Sequence, residues 1–148
     1  TKTNIEGGKK EVESIYSILN ARKDEALYLQ KIEQYKKGIG ETIPSLNELV
    51  KEYPHFEKTT FSCYKNEETI EAINATDKKV VIVAGIETHV CVLQTCLDLL
   101  EGGYEVVLVT DCCTSRKQKD TDMAISRLVQ AGVNAKNPVF KEISSLVK

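Results

Sequence analysis

Residues 79–110 read KVVIVAGIETHVCVLQTCLDLLEGGYEVVLVT, and this stretch decides the fold. Lys79 to Ala84 is a short run of valines and isoleucine, the pattern of a strand buried on both faces. Gly85 breaks it. From about His89, the residues Leu93, Leu97 and Leu100 recur at i, i+4 and i+7, which predicts a helix facing a core. Gly102-Gly103 ends that helix, as glycine at a helix C-terminus commonly does. Glu105 to Thr110 is a second apolar strand, carrying Val106-Val107-Leu108-Val109. A second helix is expected with Ala124, Leu128 and Ala131 on one face and Gly132 closing it. Strand, helix, strand, helix at this spacing is a right-handed parallel βαβ arrangement, so the fold class is α/β.

Outward from this centre the pattern weakens. Glu11 to Asp24 has helical spacing in Val12, Ile15, Tyr16, Ile18 and Leu19 and reads as an amphipathic helix. Ala26 to Ile32 alternates in a weakly strand-like way. Tyr35 to Gly40 reads as a loop, and Pro44 suits the first turn of a short helix carrying Leu46, Leu49 and Val50. Phe140 to Lys148 could form a last helical turn or two. No internal repeat or low-complexity linker divides the chain, so residues 1–148 are expected to form a single domain.

Composition excludes several function classes. A 148-residue chain that is 41% hydrophobic and 28% charged is ordinary for one soluble globular domain. The net charge of −2 gives no case for a nucleic acid or an anionic membrane as main partner. The longest apolar runs, such as Val80 to Ala84, are far too short to span a bilayer. Thr1 to Lys10 lacks the apolar core of a signal peptide. Five cysteines, an odd number without framework spacing, suggest reduced thiols and a cytoplasmic setting. No C-x-x-C pair occurs and the only histidines, His55 and His89, lie far apart, so neither a metal nor a cofactor is expected.

Ligands of open parallel sheets bind beyond the carboxyl ends of the strands. Two such ends are visible, Gly85 to Cys91 and Asp111 to Arg116. Cys91 falls at the first turn of the following helix, where unpaired N–H groups and the helix dipole favour a thiolate. The same N–H groups can hold an oxyanion during attack on a carbonyl. A buried, inert cysteine would fit this position as well. Cys96 and Cys63 read as packing residues. The vicinal pair Cys112-Cys113 reads as a packed turn, with a redox role as the alternative. His89 reads either as a site residue or as a hydrogen-bonded structural histidine.

Gly85-Ile86-Glu87-Thr88-His89-Val90-Cys91-Val92-Leu93-Gln94-Thr95, running into Leu97-Asp98-Leu99-Leu100, resembles the nucleophile segment of the isochorismatase-like cysteine hydrolases. Glu105 to Arg116, with Asp111, Ser115 and Arg116, resembles the family's next strand and loop. Lys58-Thr59-Thr60-Phe61-Ser62 is similar to the segment that supplies its catalytic lysine. Gln34 to Gly40 and Phe140 to Ile143 resemble the metal-free subgroup of isochorismatase-domain-containing proteins. The resemblance covers most of Glu33 to Gly132 in the right order.

It implies a Rossmann-like, three-layer α/β/α fold with a mostly parallel sheet. It also implies Cys91 as nucleophile and Lys58 as the lysine that supports the charged partners. Ile86, Glu87 and Val90 would form the oxyanion and cis-peptide region, with the cis bond at Ile86–Glu87. His89 and Phe61 would contact a small-molecule substrate, and relatives suggest a homo-oligomer. The family's third residue, an aspartate serving as proton acceptor, ends a first β-strand, and nothing before Glu11 reads as that strand. The stretch between Gly132 and Phe140 is shorter than in the family, which places another strand and helix there. The chain as given is therefore expected to lack the first strand and a C-terminal strand–helix segment. The resulting expectation is hydrolysis of a C–N or related bond in a small molecule. The alternative is a catalytically degenerate pseudoenzyme or interaction module of the same fold.

Overall fold

The structure is a computed structural model that describes residues 31–34 and 41–136. The segments Glu11–Asp24, Tyr35–Gly40 and Phe140–Lys148, and most of Ala26–Ile32, lie outside the described residues.

Five strands and four helices alternate along the described chain. They are β1 (Lys31–Gln34), α1 (Pro44–Val50), β2 (His55–Lys58), α2 (Glu67–Asn74), β3 (Val80–Ile86), α3 (Leu93–Glu101), β4 (Glu105–Thr114), α4 (Gln118–Ala131) and β5 (Asn134–Lys136). A 3₁₀ turn, Cys63–Lys65, precedes α2, and a π-helical turn, Thr88–Val92, leads into α3. The arrangement is the three-layer, Rossmann-like α/β/α fold with a parallel sheet that the resemblance implies. β1 pairs with β2 from Lys31↔His55 to Gln34↔Lys58, and β3, β4 and β5 lie side by side in that order. Among the described residues β3 is paired on one side only, and no strand links it to β1–β2. The first strand of the family's order is thus not found among them.

Packing explains why β4 is the spine. Val106, Val107, Leu108 and Val109 are all buried. Val106 and Leu108 join Cys96, Leu99 and Leu128 in one cluster, while Val109 and Cys112 meet Ile82 in another. The apolar run is thereby used on both faces, as expected for an inner parallel strand. α3 presents Cys96 and Leu99 as its fully buried residues, with Leu93, Leu97 and Leu100 packed partly buried beside them. On α4 the buried residues are Thr121, Ala124 and Leu128, whereas Ala131, expected on that face, is exposed. Gly132 ends α4 with φ +104°, a conformation that glycine adopts without Cβ strain. Val133 N then donates to Leu128 O at 2.9 Å, capping the helix.

Two strands differ from the sequence reading. β4 runs past Thr110 to Thr114, because its register against β3 shifts between Val83 and Gly85. Cys112 and Cys113 are therefore buried strand residues rather than a turn. A strand also occupies part of the stretch after Gly132: β5 pairs with β4 from Val107↔Asn134 to Val109↔Lys136.

Candidate functional site

The carboxyl ends of β2, β3 and β4 carry the residues that the sequence singles out. At the end of β3, Gly85 has φ +136°, which strains any residue with a Cβ. The next peptide, Ile86–Glu87, is cis, at the bond where the resemblance places one. The N–H groups of Val90 and Val92 both donate to Glu87 O, at 3.1 and 3.2 Å. The second bond skips five residues and widens the turn into a π-helix, a distortion found often at functional sites. Cys91 sits in this turn and is half-buried. Ile86, two residues before this turn, is 59% exposed.

At the end of β2, Lys58 is buried, only 4% exposed. An ammonium group taken from water needs replacement acceptors. Lys58 Nζ finds them in the main-chain oxygens of Thr60 at 2.9 Å and Phe61 at 2.7 Å. The chain after β2 thus wraps around its own lysine, and the Phe61 side chain is left 55% exposed. Thr60 Oγ1 tightens the wrap by donating to Ser62 O at 2.8 Å. Ser62 Oγ then accepts from Tyr64 N, capping the 3₁₀ turn that begins at Cys63.

This turn docks on α3. Cys63 N donates to Thr95 Oγ1 at 2.9 Å. Thr95 is buried and lies four residues beyond Cys91, in the first turns of the helix that the π-helical turn leads into. The turn after β2 and the helix after β3 meet here. Burial pushes the Cys63 thiol above its ordinary range, while the Thr95 hydroxyl and the Lys58 ammonium pull it back and Cys91 adds to the rise. Cys63 is therefore within electrostatic reach of both Lys58 and Cys91. Burial pushes the neighbouring Cys96 thiol up to about 12.

A second polar cluster joins the β3 and β4 ends. Arg116 Nε donates to Glu87 Oε1 at 2.8 Å. Glu87 Oε2 stands 3.7 Å from His89 Nδ1, and that nitrogen shares a 2.9 Å hydrogen bond with Ser115 Oγ. Ser115 is buried. His89 thus has the hydrogen-bonded environment of a structural histidine, with part of its ring still open to solvent. None of the five cysteines is in a disulfide. Among the described residues no group of three or more His, Cys, Asp or Glu side chains could hold a metal ion. Among them, too, no helix is long and apolar enough to cross a membrane.

The sequence points to Cys91 through a strand end and to Lys58 through the family resemblance, but not to Cys63, Thr95 or the Glu87–Arg116 pair as partners. The contacts join residues about thirty positions apart, and no local pattern marks them. A spacing of five between Lys58 and Cys63 was the only available signal.

A parallel α/β sheet with a cysteine turn after one strand and a buried lysine ending another defines a domain of the isochorismatase-like hydrolase superfamily. The chain belongs to the isochorismatase domain family, whose sequence model matches residues 32–136. It is 36% identical over 129 residues to isochorismatase domain-containing protein 2 of Xenopus laevis, covering 78% of this chain and 62% of that protein. The chain thus spans less than two thirds of the length of that relative. Among solved structures it is similar to YcaC from Pseudomonas aeruginosa, in complex with hexane-2,5-diol and covalent acrylamide. That match has a TM-score of 0.82 at 27% identity and covers 93% of this chain and 67% of the other. The MAR1 ribonuclease from Caenorhabditis elegans is 31% identical, with a TM-score of 0.79 over 98% of this chain and 80% of its own.

Proposed function

We propose that this chain is the core of a single-domain cysteine hydrolase that cleaves a C–N or related bond in a small molecule. The observation that carries this reading is the docking of the turn that follows Lys58 and β2 on the helix that follows Cys91 and β3, where Cys63 N donates to Thr95 Oγ1 at 2.9 Å. In the proposed reaction the Cys91 thiolate attacks the electrophilic carbon of an amide. The tetrahedral oxyanion collapses, the C–N bond breaks, and the nitrogen leaves with the proton that Cys91 gave up on becoming the thiolate. Water then hydrolyses the thioester and regenerates the thiol. Lys58, a buried cation, stabilises the anionic nucleophile and orients the site. The oxyanion would lie against the turn formed by Ile86, Glu87 and Val90. Val90 N already donates to Glu87 O, so its share in binding an oxyanion requires that bond to be divided.

Phe61 and Ile86, exposed at the rim, are the surfaces on which an apolar part of the substrate would rest, with His89 beside them. The proton acceptor that the resemblance assigns is an aspartate ending a strand beside β3, on the side where β3 lacks a partner among the described residues. The second reading is a pseudoenzyme or interaction module of the same fold. The YcaC structure carries covalent acrylamide, an electrophile, which supports reactive-residue chemistry in this fold. One relative is named a ribonuclease, but a net charge of −2 offers no electrostatic footprint for a polyanion. The five cysteines, an odd number without framework spacing, suit a reducing, cytoplasmic setting.

The test is ammonia or amine release from a panel of small amides by the full-length protein and its Cys91→Ser variant. Turnover that vanishes in the variant supports the hydrolase. Turnover that survives it removes Cys91 from the mechanism, and none with any amide favours the non-enzymatic reading. A homo-oligomer is also proposed, because Ile43, Met123 and Val129 are exposed apolar side chains in addition to the site rim. Light scattering of the full-length protein should give a multiple of the chain mass, and a monomer mass at every concentration would contradict it.

A further inference from the structure

Three thiols, none in a disulfide, lie where the turn after β2 docks on the helix after β3, and they differ in access. Cys91 and Cys63 are half-buried, whereas Cys96 is fully enclosed. Cys63 belongs to the 3₁₀ turn after β2, and its N–H is anchored on Thr95 Oγ1 at 2.9 Å. Thr95 lies four residues after Cys91, near the start of the helix that the π-helical Cys91 turn leads into. Side chains of a helix lean towards its N-terminus, so the Thr95 hydroxyl points back towards the Cys91 turn. The main chain of Cys63 is therefore held against the start of the helix, next to the turn that carries Cys91. The buried Lys58 stands at the same junction, with its ammonium fixed by Thr60 O and Phe61 O.

We propose that Cys63 is a resolving thiol for Cys91, so that the site closes reversibly as a Cys63–Cys91 disulfide when the protein meets a hydroperoxide. This inference rests on the reading of Cys91 as the reactive nucleophile. The Cys91 thiolate attacks the peroxide, the O–O bond breaks, and Cys91 becomes a sulfenic acid while hydroxide or alkoxide leaves. The sulfur of Cys63 then attacks the sulfenic sulfur. An S–S bond forms, the S–O bond breaks, and the proton of the Cys63 thiol leaves with the oxygen as water. Sulfur is oxidised and the peroxide reduced by the same two electrons.

The order of events follows from the surroundings. Burial holds Cys63 protonated, so it is a poor first target for peroxide, and the Lys58 ammonium and Thr95 hydroxyl then assist its ionisation during resolution. A disulfide blocks the nucleophile but spares it from irreversible oxidation to the sulfinic acid, and a cellular dithiol restores it. Cys112 and Cys113 are buried in β4 and belong to no such pair with Cys91 in this reading.

The experiment treats the reduced full-length protein with hydrogen peroxide, blocks free thiols, digests with trypsin without reductant, and reads the products by mass spectrometry. Cys63 lies in the tryptic peptide Thr59–Lys65, while Cys91 lies in Val80–Arg116 together with Cys96, Cys112 and Cys113. The expected product is Thr59–Lys65 joined to Val80–Arg116, with fragmentation placing the bond on Cys91 and dithiothreitol dissolving it. In Cys63→Ser and Cys63→Ala the joined peptide should vanish, dimedone should trap sulfenic acid on Cys91, and without dimedone further peroxide should carry Cys91 to the sulfinic acid, which dithiothreitol does not reverse. A dimedone adduct and sulfinic acid on Cys91 of the unmutated protein, with no joined peptide, would overturn the resolving role and leave the nucleophile standing. A bond to Cys96, Cys112 or Cys113 would overturn it too. No reaction of Cys91 with peroxide or iodoacetamide would overturn both readings at once.

Discussion

Arg116 Nε donates to Glu87 Oε1 at 2.8 Å, joining the carboxyl end of β4 to the residue that follows the cis peptide after β3. The two partners are unequally placed. The Arg116 side chain is 71% exposed and that of Glu87 22%. Glu87 also faces His89, so it serves as the hub of the cluster while Arg116 is a spoke. Arg116→Ala should therefore cost under about 1 kcal/mol in urea unfolding, as for an exposed ion pair. Glu87→Ala should cost more, about 1–2 kcal/mol, because several donors lose one acceptor. Equal losses in both variants would contradict the hub.

The bond between Cys63 N and Thr95 Oγ1 carries a second prediction. Thr95 is buried, so valine in its place keeps the shape but leaves the Cys63 N–H without its acceptor. Thr95→Val should lose about 1–3 kcal/mol of stability, while Thr95→Ser, which keeps the oxygen, should lose less. Serine as costly as valine would show that the methyl group, not the hydrogen bond, holds the turn.

Alkaline pH supplies a third. The ordinary thiol value is 9.0, and burial in the core raises Cys96 to about 12. Between these values the unfolded chain has released the proton and the folded chain keeps it. The folded state then binds more protons, so stability falls as pH rises through this window and is unaffected by this group below it. At ~1.4 kcal/mol per pH unit the loss is on the order of 4 kcal/mol by the upper end. Cys63, raised in the same direction, adds to the fall. Unfolding midpoints measured from pH 8 upwards should decline more steeply in the unmutated protein than in Cys96→Ala. Parallel slopes would contradict the assignment.

Much of this architecture can be read from periodicity. β3, α3, β4 and α4 follow from valine runs, leucine spacing and the glycines at 102, 103 and 132, since each pattern buries a defined face. α1 begins at Pro44 as expected. β2 was illegible because His55-Phe56-Glu57-Lys58 buries only its lysine. α2, with just Ile70 and Ile73 as its large apolar residues, carries too little periodicity to stand out. β5, Asn134-Ala135-Lys136, has no apolar signal at all, being fixed by its pairing with β4. At the site the positions of Cys91 and Lys58 were legible, through strand ends and family resemblance. Their neighbours Cys63 and Thr95 were not, because a tertiary contact across 32 residues leaves no trace in local spacing.

The central claim is that Cys91 is the reactive thiol and that Lys58 supports it. Cys63 and Cys96 are held protonated by burial, and Cys112 and Cys113 are enclosed in β4. The most direct test is the rate of iodoacetamide alkylation at each of the five cysteines, followed by mass spectrometry near neutral pH. Cys91 should be labelled first, and Lys58→Met, checked for folding by circular dichroism, should slow that labelling several-fold. A different cysteine alkylated fastest, with Cys91 inert and indifferent to Lys58, would contradict the account.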